Sequence, residues 1–281
     1  MTQPAPVFQR FVAWLAAAVC VAWVWPGPAA AADLQPKTVA AFDRYVTLTE
    51  AGMDAPGGAA LWIDTLPAAR KQEVADQLRN GTIVVERVVT KDGTRDIDIP
   101  EGLIHHWVGT VFVAGVQLQD AVALLQDYDH HARIYAPAVQ RSKVLTRDGD
   151  RFTVSLRFYQ KKGIAVVLNS EHEARFVRRA PGEVRSRIHS TRIAEVEEPG
   201  TPDEREKPVG RDGGYLWRLN TYWRFVERNN GVYIQCESIT LTRTIPTGLG
   251  WLVGPFVNSV PRESLEFTLD TTRKALKTPT R

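Results

Sequence analysis

The chain has two cysteines in 281 residues, Cys20 and Cys236. With Cys236 the only one beyond the first 32 residues, an internal disulfide is excluded there, and stability must come from core burial. No block of like charge stands out: 35 basic and 32 acidic side chains are interspersed, for a formal net charge of +3. Without a basic tract to follow phosphates, nucleic acid is excluded as a partner class. The sequence also lacks an apolar run of the ~20 residues that span a bilayer. The nearest is FVAWLAAAVCVAWVW at 11–25, preceded by Arg10 and followed by Pro26, Gly27 and Pro28. Ala30 and Ala32 then fit a small-residue cleavage pattern. Together these features predict a secretory signal over 1–32, cleaved near Ala32, and a periplasmic or secreted mature chain. Val19 before Cys20 argues against a lipid anchor. A retained membrane anchor is the alternative.

What is present divides the remainder in two. Residues 33–100 read as an N-terminal helical extension. Val39, Phe42, Tyr45, Val46 and Leu48 recur at helical spacing over 36–50, a second helix covers 66–80 before Gly81, and TIVVERVVT (82–90) is β-branched and short enough for a strand. Residues 101–281 read as the main domain. LIHHWVGTVFVAG predicts a strand, and QLQDAVALLQDYD a helix with Leu118, Val122 and Leu125 on one face. Extended segments follow, separated by Asp-Gly, Pro-Gly and Asn-Gly turns. The charged stretch 198–214 has no periodicity and reads as an exposed loop. Leu265, Leu269, Thr272 and Leu276 mark a C-terminal helix. This order predicts an α+β fold, a curved antiparallel sheet wrapped around a long C-terminal helix, with a cavity between them.

Two stretches, HHWVGTVFVAGVQLQDAVALLQDYDHHARIYAPAVQRSKVL (105–145) and IPTGLGWLVGPFVNSVPRESLEFTLDTTRKAL (245–276), resemble the START/Bet v 1-like superfamily, also called SRPBCC or helix-grip proteins. The resemblance covers roughly 103–277 and includes features of polyketide cyclase/dehydrase-like and coenzyme-Q-binding members. It implies a helix-grip fold that holds a hydrophobic small molecule between sheet and C-terminal helix. It carries over no catalytic motif and implies no cofactor or metal. The N-terminal extension and the 198–214 loop depart from the family's minimal pattern.

Alternation places Trp217, Leu219, Thr221, Trp223 and Phe225 on one strand face. In a helix-grip fold that face is the pocket wall, extended by Phe152, Val154, Leu156, Phe158, Val166, Leu168 and Phe176. Arg192 and Glu237 are candidates for orienting a ligand. Trp251 and Phe256, between glycines and prolines, fit a helix start packed on the sheet, a mobile lid over the pocket, or an apolar surface that touches a membrane transiently. The ligand-binding set is thus Phe152, Leu156, Phe158, Phe176, Arg192, Trp217, Trp223, Phe225, Glu237, Trp251 and Phe256.

The stretch QDYDHHARIYAP (126–137) invites a metal reading through Asp127, Asp129 and His130. The plainer reading is a helix junction whose aspartates cap free backbone N–H groups, with Tyr128, Ile134 and Tyr135 packing near a pocket mouth. His105 and His106 face opposite sides of a strand and cannot share one ion. Glu171 and Glu173 share a face opposite His172, as a solvated pair or as acid and base. Three functions follow: a non-catalytic carrier of a lipid-like or aromatic molecule; a cyclase, dehydratase or hydrolase using His105 or His106, His189, Glu171, Glu173 or Glu237; and an envelope protein binding an unknown protein partner through its N-terminal helices and the charged loop.

Overall fold

The structure, a computed structural model, describes residues 32–244 and 250–278, with the backbone alone over 250–258. Helices α1 (Pro36–Asp54) and α2 (Ala68–Arg79) come first. Strands β1 (Val84–Arg87) and β2 (Gly102–Ala114) lead to a helical corner, α3 (Leu118–Gln126) and α4 (His131–Ile134). A meander follows: β3 (Val139–Asp148), β4 (Arg151–Lys162), β5 (Ile164–Ala180) and β6 (Glu183–Glu197). The short β7 (Arg205–Glu206), the hairpin β8 (Arg218–Glu227) and β9 (Gly231–Arg243), and helix α5 (Gly250–Lys277) complete it.

Nine of the described strands form one antiparallel sheet. Its order is β1-β2-β9-β8-β6-β5-β4-β3, with β7 attached to β6. The pairing of β2 with β9 joins the first long strand to the last over thirteen residue pairs. Short turns set the registers from β3 to β6 and of β8 with β9. At the β8–β9 turn Asn229 and Asn230 both take left-handed φ, +58° and +56°, the pattern of a type I′ hairpin. The turn therefore centres one residue before the Asn-Gly pair, and Gly231 opens β9.

Helix α5 crosses the concave face through the stripe the sequence predicts: Leu265, Leu269 and Thr272 are buried and Leu276 partly so. Its seat on β2 is Gly109. A Cβ there would lie 2.5 Å from Leu269 Cδ1 and 3.2 Å from Leu265 Cδ2, so only a glycine lets helix and strand approach so closely. This is the helix-grip arrangement. The core between helix and sheet joins Val111, Phe152, Phe176, Trp223, Phe225 and Leu269 with residues of α3.

The extension 33–100 covers the convex face. Strand β1 lengthens the sheet beside β2, and α2 closes a cluster around Leu61, Ile63, Leu78 and Tyr233. Helix α1 buries Phe42 and Tyr45 against Trp217, Tyr222, Ile239 and Leu241. The 198–214 stretch has more order than an exposed loop. Arg205–Glu206 pairs with β6, Arg211–Asp212 pairs with Ala32–Asp33, and Glu204 accepts two hydrogen bonds from the buried Arg157 guanidinium at 2.7 and 2.8 Å. These are short polar strands with no period to read, because two-residue pairings bury too little to need one. No described helix is long and apolar enough to cross a membrane.

Candidate functional site: a cavity under the C-terminal helix

A cavity of about 570 Å³ lies between the concave face and the middle of α5. That size suits a small organic ligand. Strand alternation builds its apolar wall: Leu156 and Phe158 from β4, Val166 and Leu168 from β5, Leu219 and Trp223 from β8. The other half of the trough is solid because α3 fills it. Phe152 and Phe176 meet there at 5.8 Å, and Tyr128, at the cavity's edge, meets Phe152 at 5.4 Å. The wall also contains Cys236, Ser238, Thr240 and Thr242 of β9, with Ser264 and Thr268 of α5 opposite.

Several buried polar atoms on this wall have no hydrogen-bond partner among the described residues: Tyr128 Oη, His131 Nε2 and Thr240 Oγ1. The His131 ring is wedged between Tyr128 and Tyr135, with centroids 4.8 and 5.0 Å away. Burial lowers its pKa to about 4, so the ring is neutral at neutral pH. The carbonyls of Leu124 and Leu125 oppose that shift, and Nε2 is buried without a partner. Tyr128 offers a hydroxyl whose pKa is raised by burial, and Tyr135 Oη is engaged with Thr272 Oγ1 at 3.0 Å. His172, against Phe158, is also held near pKa 4 by burial, with Nε2 2.9 Å from Ser170 Oγ. An orphaned buried polar atom costs about 1–3 kcal/mol. Three on one wall make a surface that gains by meeting a ligand's polar group.

The expected site residues divide. Leu156, Phe158 and Trp223 line the cavity. Phe152, Phe176 and Phe225 share the concave face but lie in the packed half. Trp217 is a correction: it sits in a bend before β8, so strand alternation does not reach it. Leu216 faces the cavity instead, while Trp217 packs under α1 and donates its indole N–H to Asp212 at 3.0 Å. Arg192 is a second correction. Ser190 pairs with His172 and Arg192 with Glu171, so Thr191 is an extra residue in β6. That bulge turns Arg192 outward to an ion pair with Glu206 and Ile193 inward. Glu237 lies on the convex face, opposite the cavity, where it accepts from His106 at 2.8 Å. The side chains of Trp251 and Phe256 lie outside the described residues, as does the lid or membrane-touching role read for them.

The junction 126–137 departs from the capping expectation. Neither Asp127 nor Asp129 caps a helix with its side chain. Asp127 binds His130 Nδ1 at 2.7 Å, and Asp129 accepts the Val144 N–H of β3 at 2.8 Å. Among the described residues no cluster of three or more His, Cys, Asp or Glu side chains could hold a metal. Glu171 and Glu173 lie on the outer face opposite buried His172. One polar side chain on the cavity wall that was not expected there is His131. Its available signal was spacing: Tyr128 and Tyr135 lie three before and four after His131, on the same helical face.

No family model and no curated protein matches this sequence. Among solved structures, the chain is similar to a fragment of a STAR-related lipid transfer protein from Xanthomonas axonopodis, at 17% identity over 68% of this chain and 99% of that one, with a TM-score of 0.44. It is similar to the Zhui aromatase/cyclase from Streptomyces sp. R1128, at 14% identity over 62% of this chain and 94% of that one, TM-score 0.42. It is also similar to human STARD10, at 10% identity over 75% of this chain and 81% of that one, TM-score 0.43.

Proposed function

We propose that this protein binds a hydrophobic small molecule with one uncharged polar end, held between the sheet and α5. The observation that carries the reading is the cavity of about 570 Å³, apolar along β4, β5 and β8, with unpartnered Tyr128 Oη, His131 Nε2 and Thr240 Oγ1 on its wall. A lipid-like or aromatic body fits the wall. A hydroxyl or carbonyl fits the polar atoms, since a neutral imidazole nitrogen accepts or donates according to its tautomer and Tyr128 can donate. A carrier or sensor role needs no more than this. The same pair of side chains could also serve as acid and base on a bound carbonyl compound, so an enzyme of cyclase or dehydratase type is the second reading. Residues 1–32 are proposed to export the chain to the periplasm or beyond, with cleavage near Ala32; N-terminal sequencing of protein recovered from the periplasm tests this.

The binding test is native mass spectrometry of gently purified protein, with organic extraction of whatever is bound. A reproducible apolar adduct is expected, absent from Ser238→Phe, which places a ring in the cavity. A bare wild-type protein that takes up no added lipid or aromatic ligand would sink the reading. Turnover of an extracted ligand, lost in His131→Leu with binding retained, would move it to the enzyme.

A further inference from the structure

A second cleft, of about 310 Å³, opens on the convex face between the sheet and the segment that follows α1. It is independent of the cavity under α5. Leu48 and Met53 of α1 with Trp62 supply its apolar side, and the sheet supplies Arg224, Gln235, Glu237 and His106. Register explains the grouping. Arg224 and Gln235 are direct cross-strand partners, and Glu237 lies two residues along β9 on the same face.

Each polar group is fixed, and all but His106 leave one capacity unused. Gln235 is fully buried, and its Oε1 accepts the Trp62 N–H at 2.6 Å. That bond fixes the amide's orientation, and the NH₂ end has no partner among the described residues. Glu237 spends Oε1 on His106 Nε2, whose other ring nitrogen meets Tyr45 Oη at 3.0 Å. Glu237 Oε2 stands 4.0 Å from Arg224 Nη2, beyond hydrogen-bond range. Arg224 Nη1 donates to the Ala59 carbonyl at 3.0 Å. A buried amide donor with nothing to donate to thus lies beside a carboxylate oxygen and a guanidinium that do not quite meet.

From this geometry we infer that the cleft is a binding site for a small neutral molecule that carries a hydrogen-bond donor beside an acceptor on an apolar or aromatic body, an amide or lactam. The acceptor takes the Gln235 NH₂ and the near edge of Arg224; the donor reaches Glu237 Oε2. Charge selects for neutrality. An anion gains Arg224 but meets the Glu237 carboxylate, and a cation meets the reverse. Met53, Leu48 and Trp62 take the body.

The test uses ¹⁵N-labelled protein titrated with benzamide, benzoate and benzylamine, reading the Gln235 side-chain NH₂ and the Trp62 N–H. Benzamide is expected to shift both resonances with a millimolar Kd, about tenfold or more tighter than either ion. Gly52 lines the cleft on α1, and a Cβ added there would meet no atom within 4 Å, so Gly52→Leu adds bulk without a backbone clash. It is expected to weaken benzamide by a similar factor. The inference is overturned if benzamide moves neither resonance in the wild type, if an ion binds as well as the amide, or if Gly52→Leu leaves the affinity unchanged.

Discussion

Replacing Gly109 by alanine tests the grip of α5 on the sheet. In a strand, glycine to alanine ordinarily stabilises by about 0.5–1 kcal/mol, because alanine loses less backbone freedom on folding. Here the new methyl would lie 2.5 Å from Leu269 Cδ1 and 3.2 Å from Leu265 Cγ. Leu269 is fully buried and Leu265 nearly so, so neither can swing into solvent. Overpacking of this kind costs about 1–3 kcal/mol and exceeds the backbone gain. The net expectation is a loss of about 1–2 kcal/mol, and a Tm roughly 2–8 °C lower. Gly52→Ala is the matched control: the same chemical change in a helix with open space around the new methyl should stabilise by up to about 1 kcal/mol. Urea denaturation of Gly109→Ala, Leu269→Ala and the double variant completes the measurement. Leu269→Ala alone should cost about 2–5 kcal/mol. In the double variant the two costs should fall short of their sum by about 1 kcal/mol, since the alanine methyl enters the space the leucine left. A Gly109→Ala protein as stable as wild type, or strictly additive costs, would refute the close seat.

Further outcomes follow from the cavity and its surroundings. Tyr128→Phe should stabilise the ligand-free protein by about 1 kcal/mol by removing an orphaned hydroxyl, while weakening ligand binding; calorimetry with the extracted ligand checks both. Stability should fall steeply in acid: His105, His131 and His172 drop from 6.5 to about 4 on folding, so the unfolded chain takes up protons first, and stability that is intact above pH 6.5 is lost as the pH falls toward 4. Urea midpoints across that window should show a loss on the order of 3 kcal/mol per histidine, and His131→Leu should reduce the slope. Arg192→Ala should change stability by less than about 0.5 kcal/mol and leave ligand uptake intact, because its ion pair is on the surface. Cys236 should react slowly with a thiol reagent, since burial raises its pKa, and bound ligand should slow it further.

The layers of the fold were legible wherever one physical pattern ran over many residues. Alternation in β4 and β8 put Leu156, Phe158 and Trp223 on the cavity side, and the spacing of Leu265, Leu269 and Thr272 marked the buried face of α5. Legibility failed where a single residue resets the count. Thr191 adds one residue to β6, and Arg192 changes sides; the bend before β8 exchanges the expected places of Leu216 and Trp217. Neither event leaves a mark in composition, because a bulge needs only a partner strand one residue shorter. The polar end of the cavity failed for another reason. His131 matters through its ring neighbours and two carbonyls brought together by a helical corner, and no sequence period encodes that convergence.

The histidine doublets show how the sheet and its corner sort chemistry. His105 and His106 are consecutive, yet β2 sends one to Thr242 on the concave side and the other to Glu237 and Tyr45 on the convex side. His130 and His131 are consecutive as well, and the short helix sends one to Asp127 in solvent and the other into the cavity wall. In each pair the two members meet opposite electrostatic surroundings. Burial drives the charge off His105 and His131, with Asp127 only a small opposing influence on His131, whereas His106 and His130 each bond a carboxylate. A helix-grip sheet covered on both sides therefore builds two unlike sites from one set of strands. Odd positions of β9 carry Gln235 and Glu237 to a cleft under α1, and even positions carry Cys236, Ser238 and Thr240 to the cavity under α5. Because the alternation is shared, a one-residue slip of β9 against β2 would exchange the two linings and bury Glu237 in an apolar wall, and that penalty helps hold the register.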